Sequence, residues 1–304
     1  MNKVGAVIVT YNPKVGLKKR VNLILSQVCF IVIIDNSDSK AISVELDELE
    51  HESRSVSVFR NNENMGMAKA LNQGCARLYD KGFNQALLMD QDSTLTTGMV
   101  KVLREHSEQD KKCGIIGPLI FPEGIELNAI KSKLRFVKKI PPFFFARISP
   151  LDVPFQVAFN ITSGSLCDLA IWNELGGFWE DLFIDGVDNE YGLRLLSRGY
   201  RTLIHPGAVL YQNYGMQRRV HFLGKNYFPT FHGGSRRYYA ARNRVLIWKR
   251  YCFSQPFYLV WDFMSFINTL KLILLFEDNK AKKIFYILIG LKDGFLNRRG
   301  RFDG

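Results

Sequence analysis

An α/β doubly wound sheet with helices on both faces is predicted by three features of this sequence. Apolar runs rich in β-branched residues alternate with helical stretches from Val4 to Met89. Three of the four runs stop at polar residues, and the carboxyl ends of strands are where such sheets collect ligands. The chain has 304 residues, 47% hydrophobic and 23% charged, which is globular composition with length for one large domain or two ordinary ones. That balance excludes a disordered, collagenous or low-complexity chain.

Val4–Thr10 reads as a buried parallel strand because no polar residue interrupts it before Tyr11-Asn12-Pro13 turns the chain. A helix over Lys14–Gln27 and a second strand at Phe30–Ile34, closing on Asp35-Asn36-Ser37-Asp38, complete a βαβ unit. A helix near Ala41–His51, a strand at Ser55–Phe59 and a helix over Gly66–Lys81 lead to the run Ala86–Met89, which ends in Asp90-Gln91-Asp92. No Gly-x-Gly-x-x-Gly follows the first strand and no phosphate-loop Gly-Lys-Ser/Thr occurs, so dinucleotide and P-loop versions of the sheet are disfavoured. Residues 128–150, basic and then Pro141-Pro142-Phe143-Phe144-Phe145, read as a variable loop; no internal repeat or linker is seen.

Four stretches carry groups able to do chemistry. Asp90 and Asp92, two apart at a strand end, point to one side of an extended chain and suit a hard divalent cation; the alternative is a capping Asp92 and a solvated Asp90. Asn64 to Gly74 opens a helix with small residues that allow close backbone approach, at an end that favours an anion, with Lys69 and Asn72 repeating polar groups. At Asp185-Gly186-Val187-Asp188-Asn189-Glu190 the acids precede a helical run that stops at Gly199; a carboxylate in that first turn is held ionised, as a base or simply as a partner of the helix dipole. Arg236 to Arg244 reads as a phosphate clamp, a nucleic-acid stripe or a solvated helix face.

Charge is uneven along the chain. Residues 216–304 hold 17 Lys or Arg against 5 Asp or Glu, a net of +12 that equals the whole formal charge. An anionic surface is the expected partner of this part. Phe257–Phe276 is long and apolar but contains Asp262, Asn268 and Lys271, so it is expected to lie on or in the membrane interface rather than to span. Ile284, Ile287, Leu288, Leu291 and Phe295 recur at helical spacing beside Lys282, Lys283, Lys292, Arg298 and Arg299, a basic amphipathic helix. The apolar stretch after Met1 is too short for a signal-peptide core, and five widely spaced cysteines suggest neither a disulfide framework nor a thiolate metal site, so a cytoplasmic setting is expected.

Taken in order, these segments resemble family 2 glycosyltransferases of the GT-A fold, and among them bacterial rhamnosyltransferases that build surface polysaccharides. The resemblance runs over about residues 4–250 and rests on Val9-Thr10-Tyr11-Asn12, Asp35-Asn36-Ser37, Asn64 to Gly74, Asp90-Gln91-Asp92-Ser93, Ser163-Gly164-Ser165, Gly176-Gly177-Phe178, Asp188-Asn189-Glu190 with Leu193-Arg194, and Arg237-Tyr238-Tyr239 with Arg242-Asn243.

The resemblance implies a GT-A mixed sheet over residues 1–230 and a basic, membrane-associating helical segment over 231–304. Thr10, Tyr11, Asn12 and Asp35 would hold the base and ribose of a nucleoside diphosphate sugar, with Asn64, Lys69 and Asn72 closing that site. Asp90 would reach ribose and metal, and Asp92 would ligate Mg²⁺ or Mn²⁺. Asp188 is the implied base, with Asp185 its competitor. Trp179, Glu180, His232, Arg237 and Arg242 fall where donor sugar, diphosphate or acceptor is expected. Relatives often place a metal-binding His where this chain has Gln212, which leaves weaker metal binding or a substitute in His221 or His232.

The implied reaction is inverting transfer, with dTDP-rhamnose as donor and a polyprenyl-diphosphate-linked glycan as acceptor, at the inner face of the cell membrane and without nucleic acid. A UDP-sugar donor on the same fold, or a non-catalytic nucleotide-sugar-binding protein, are the alternatives.

Overall fold

The computed structural model describes residues 3–13, 16–38, 43–122, 135–138, 144–147, 153–212 and 218–302. The chain divides into two compact units, Met1–Glu180 with Asp188–Asn213, and Asp181–Val187 with Tyr214–Gly304.

In the first unit the elements run β1 (Val4–Thr10), α1 (Leu17–Leu25), β2 (Phe30–Asp35), α2 (Ser43–Glu52), β3 (Val56–Arg60), α3 (Met67–Asp80), β4 (Gln85–Asp90), β5 (Thr94–Leu95), α4 (Met99–Gln109) and β6 (Cys113–Pro122). After these come β7 (Arg135–Lys138), β8 (Phe144–Arg147), β9 (Phe155–Val157), β10 (Ser165–Asp168), α5 (Leu169–Glu174), α6 (Val187–Ser197) and β11 (Arg201–Gln212). The sheet order is β3-β2-β1-β4-β10-β6-β11-β5, with β9 also on β11. β3, β2, β1 and β4 are mutually parallel, β10 is antiparallel to β4 and β6, and β6 is parallel to β11. Most of the stretch read as a variable loop lies outside the described residues; within it β7 and β8 pair antiparallel.

Helices cover both faces of this sheet, as predicted. Val4, Ala6 and Ile8 join a core with Leu17, Val21 and Ile24 of α1, Leu46 and Leu49 of α2, and Leu103 of α4. The alternate residues of β1 face α3, where two glycines permit close approach. A Cβ on Gly5 would meet Leu78 at 2.5 Å, and one on Gly74 would run into Val7. β1 is buried along its whole length because both faces are covered, which is why its sequence is a continuous apolar run.

The second unit carries β12 (Val220–Phe222) and β13 (Lys225–Tyr227), which form a hairpin, then α7 (Gly234–Tyr251), α8 (Pro256–Phe276) and α9 (Lys280–Phe295). α7 and α9 pack backbone to backbone. A Cβ on Gly290 would strike the Tyr238 carbonyl, and one on Gly294 would sit 2.7 Å from the Arg242 carbonyl. Two ion-pair groups are buried here: Arg237 and Lys283 on Glu277 at 2.7 and 3.0 Å, and Arg244 on Asp262 at 2.6 Å.

Replacing Gly74 by Leu forces a side chain into the α3–β1 contact. Overpacking of a closed core costs about 1–3 kcal/mol, so a loss of that size is expected by urea denaturation; unchanged stability would mean that α3 does not sit this tightly on β1.

Candidate active site

The parallel register places the polar strand ends side by side. Thr10 is opposite Asp35 on β2, and Val9 is opposite Asp90 on β4. Thr10 Oγ1 donates to Asp35 Oδ1 at 2.7 Å, and Ser37 adds its hydroxyl at 2.6 Å and its backbone N–H at 3.2 Å to the same oxygen. Asn12, in the left-handed region at φ 43°, donates its N–H to Ser37 Oγ. Tyr11 is exposed, and its hydroxyl donates to Asp38 at 3.0 Å. Thr10, Tyr11, Asn12 and Asp35 therefore form one polar edge.

Gln91 ties that edge to the carboxylate pair. Its Oε1 accepts from Tyr11 N–H at 2.8 Å and its Nε2 donates to Tyr11 O at 3.2 Å, so the side chain bridges the ends of β1 and β4. Asp90 and Asp92 flank it. Both oxygens of Asp90 are engaged: Oδ1 accepts from the Ser163 hydroxyl, and Oδ2 from Gln212 Nε2 at 2.7 Å and Ser93 Oγ at 3.4 Å. Burial pushes the Asp90 pKa up and the nearby charge of Asp92 adds to this, while the Ser163 and Gln212 hydrogen bonds oppose it. Asp92 is exposed.

This donor set fits a divalent cation. A buried carboxylate strained by its own desolvation and by a second carboxylate is relieved by a positive charge between them. Among the described residues no group of three or more His, Cys, Asp or Glu gathers to hold an ion. A cation on Asp90 and Asp92 would thus take its other ligands from outside these side chains. Gln212 reaches the carboxylate pair as a hydrogen-bond donor to Asp90. His221 Nδ1 is bonded to Asn226 Oδ1 across the β12–β13 hairpin at 3.1 Å.

At the head of α3, Asn64 Oδ1 accepts from Gly66 N–H at 3.0 Å, which bends the chain into the helix, and Lys69 lies in its first turn. Asn36 and Asn61 link this turn to the polar edge: Asn36 Nδ2 donates to Gly66 O, and Asn61 Nδ2 to Asn36 Oδ1. Asn72 faces the turn after α5: its Oδ1 accepts from Phe178 N–H at 2.7 Å and Trp172 Nε1 at 3.3 Å, and its Nδ2 donates to Phe178 O and Glu180 Oε1, each at 2.9 Å. Its amide is used up in fixing the turn that leads to Trp179 and Glu180. Gly177 must be glycine there, since its φ is +74° and a Cβ would lie 2.6 Å from Asn72 Oδ1.

Asp188 lies in the first turn of α6 and is partly exposed; its Oδ1 accepts from Asn189 N–H. Glu190 is fully buried and paired with Arg194 at 2.8 Å, so it is a structural member of the acid motif.

In the second unit, Asp185 is ion-paired with Arg236 at 3.2 Å. Phe183, Asp185 and Gly186 all have positive φ, and Asn243 Nδ2 donates to the carbonyls of Leu182, Ile184 and Asp185. Arg242 is buried, and it donates to the carbonyls of Gly300, Asp181 and Leu182. Arg237, also buried, is spent on Glu277 and Thr230. These two arginines brace the fold, and from Arg237 to Asn243 the helix is mostly buried rather than a solvated face, with Arg236 exposed before it. His232 has its pKa lowered to about 4, first by burial and then by the charges of Arg236 and Arg237. The imidazole is therefore neutral at pH 7.

A nine-stranded mixed sheet whose parallel strands end in a polar edge beside paired carboxylates defines a GT-A glycosyltransferase. Comparison with known proteins agrees and is more specific: residues 6–166 match the sequence model of glycosyl transferase family 2, and the chain belongs to that family. It is similar to dTDP-rhamnosyl transferase RfbF of Shigella flexneri, 27% identical over 259 residues, 82% of this chain and 81% of that protein. The bacterial rhamnosyltransferase-like character read from the motifs is borne out by this relative.

Solved structures share the fold. GalNAc-T7 with UDP, GalNAc and Mn²⁺ superposes with TM-score 0.64 at 17% identity over 85% of this chain, which spans about half (49%) of that protein. The mannosyltransferase PcManGT of Pyrobaculum calidifontis, with GDP-Man and Mn²⁺, gives 0.57 at 13% identity over 98% of this chain and 88% of that one.

Replacing Asn72 by Ala leaves the Phe178 N–H and the Trp172 indole without their acceptor, at about 1–3 kcal/mol for a buried group so orphaned; urea denaturation checks this, and an unchanged midpoint would deny Asn72 the bracing role. For His232 the sign follows from its lowered pKa: the unfolded chain takes up a proton below about 6.5 while the folded one resists until about 4. Stability from this group is full above pH 6.5 and lost as pH falls to 4. A His232→Asn variant is expected to lose less melting temperature across that window than the parent.

Proposed function

We propose that this glycosyltransferase moves L-rhamnose from dTDP-rhamnose to a hydroxyl of a polyprenyl-diphosphate-linked glycan at the cytoplasmic face of the membrane, during synthesis of an O-antigen or capsular polysaccharide. The observation that carries the donor assignment is the similarity to RfbF, which runs over four-fifths of both chains. The motif resemblance carries the acceptor class, and the cationic surplus of residues 216–304 suits work at an anionic lipid surface.

Thr10, Tyr11, Asn12 and Asp35 are assigned to the base and ribose, and Asn64 and Lys69 to the nucleotide from the head of α3. Trp179 and Glu180, on the turn braced by Asn72, are assigned to the sugars. Asp188 takes the proton from the acceptor hydroxyl as its oxygen attacks the anomeric carbon. The bond from that carbon to the nucleoside diphosphate breaks on the opposite side, so configuration inverts. Asp92 and Asp90 would hold Mg²⁺ or Mn²⁺, which when bound supplies positive charge for the diphosphate.

The test has two arms. Asp188→Asn is expected to reduce transfer by about 10²- to 10⁴-fold, the range for a lost general base, while dTDP with Mn²⁺ still raises the melting temperature. Asp185→Asn is expected to keep most of the turnover; the reverse ranking would move the base to Asp185. A cation-dependent shift with dTDP and none with UDP supports the donor, and a shift only with UDP overturns it while leaving the family intact.

A further inference from the structure

The outward side of α8 is apolar, as the inward side is. Tyr258, Asp262 and Ile273 are buried, and Ile273 packs with Ala241 and Ile287 of the neighbouring helices. On the opposite side, Phe257, Val260, Met264, Ile267, Lys271 and Leu274 follow one another at steps of three and four residues, all exposed. Val260 and Met264 are each 63% exposed. The stripe runs about 26 Å at 1.5 Å per residue. By length and composition α8 could cross a membrane. A soluble protein gains nothing from such a face, since its core is already satisfied from the other side.

The β12–β13 hairpin extends the same surface. Phe222 and Tyr227 pack on Phe276 at the end of α8, with ring centroids 5.6 and 5.0 Å apart. Lys271 of the stripe sits over the Tyr227 ring, 5.6 Å from its centroid, which brings the hairpin to the stripe. Leu223 at the tip is 82% exposed and holds φ at 48°, with Lys225 exposed next to it. A shallow apolar hollow of about 320 Å³, lined by Trp248, Leu259, Val260, Phe263 and Met264, opens on the stripe. It is of a size to take a segment of hydrocarbon chain.

From these we infer that the outward stripe of α8 and the tip of the β12–β13 hairpin together form a membrane-docking face that lies in the plane of an anionic bilayer. The occupant is lipid because the face is apolar while its helices carry an exposed cationic surplus: Lys225, Lys271, Lys280, Lys282 and Lys292 are exposed, Asp262, Glu277 and Asp293 are turned inward, and the one exposed acid among the described residues of α8, α9 and the turn between them, Asp278, is paired with Lys283 at 2.9 Å. Anionic headgroups meet the lysines as the apolar side chains enter the acyl boundary. The helix lies flat because its inner side is committed to α7 by the Arg244–Asp262 ion pair, to which Trp248 Nε1 adds a hydrogen bond at 2.8 Å. The inference deepens the proposed function by naming the surface that reaches a lipid-linked acceptor, and it does not depend on which sugar is moved.

The experiment is co-sedimentation of the full chain with vesicles of phosphatidylcholine, with and without phosphatidylglycerol. Binding is expected only to the anionic vesicles, weakening as salt rises and released by carbonate at high pH. Val260→Glu with Met264→Glu, and separately Leu223→Asp, are each expected to cut binding by about tenfold or more, with unchanged circular dichroism and melting temperature because all three positions are exposed. Parent protein that ignores both vesicles overturns the inference, and a dTDP thermal shift in that same sample shows the glycosyltransferase reading surviving it. Retention after carbonate would mean that α8 spans. A dimer in light scattering that Val260→Glu with Met264→Glu dissociates, without vesicle binding, would assign the face to a second copy of the chain.

Discussion

The in-register parallel pairing of β1 with β2 and β4 is the constraint on which the site depends. Because the three strands are apolar to their last residues and stop together, their first polar groups emerge in a row: Thr10, Asp35 and Asp90. Slipping one strand by a residue would turn its whole apolar set to the opposite face. Both faces are covered by helices, but the glycine contacts on the α3 side do not tolerate the exchange: Gly5 and Gly74 leave no room there for the side chains of the other face. Core packing and the alignment of the polar edge are thus one specification.

The second requirement is that polar groups from distant parts of the chain hold each other directly. Asp90 receives hydroxyls from residues 93 and 163 and an amide from residue 212, and Gln91 closes on the backbone of residue 11. A buried carboxylate is tolerated when it is hydrogen-bonded, and it still favours the protonated form in the absence of a counter-charge. A cation on Asp90 and Asp92 would compete with protons for the Asp90 carboxylate, whose pKa burial raises.

Much of the fold was legible because strands covered on both faces advertise themselves as unbroken apolar runs; β1, β2, β3 and β4 all fall within a residue or two of their expected positions. The short antiparallel strands β5, β9 and β10 were not, since two to four residues carry no periodicity. Among site residues, position was readable and partnership was not. Asn72 and Arg242 have the chemistry of ligand-binding groups, and only the folded chain shows their polar atoms consumed by the Phe178 turn and by the carbonyls of residues 181, 182 and 300. Gln212 stood at a place where relatives carry a metal ligand, and it does reach Asp90, but as a donor. Ser163 and Gln91 stood inside the motifs that carry the resemblance but were given no role there: a hydroxyl and an amide are common residues whose use depends on what faces them.

Asp262 shows the same limit with the opposite consequence. As a charge in the middle of an apolar segment it argued against spanning a membrane. In the structure it is 5% exposed, bound by Arg244 and Trp248, and it presents nothing to the outside. A helix apolar on every side has no preferred rotation about its axis. One buried ion pair supplies that preference, because any rotation that separates Asp262 from Arg244 leaves an uncompensated charge, at about 3–5 kcal/mol. The carboxylate thus decides which side of α8 meets the protein and, by exclusion, which side is left as an apolar surface.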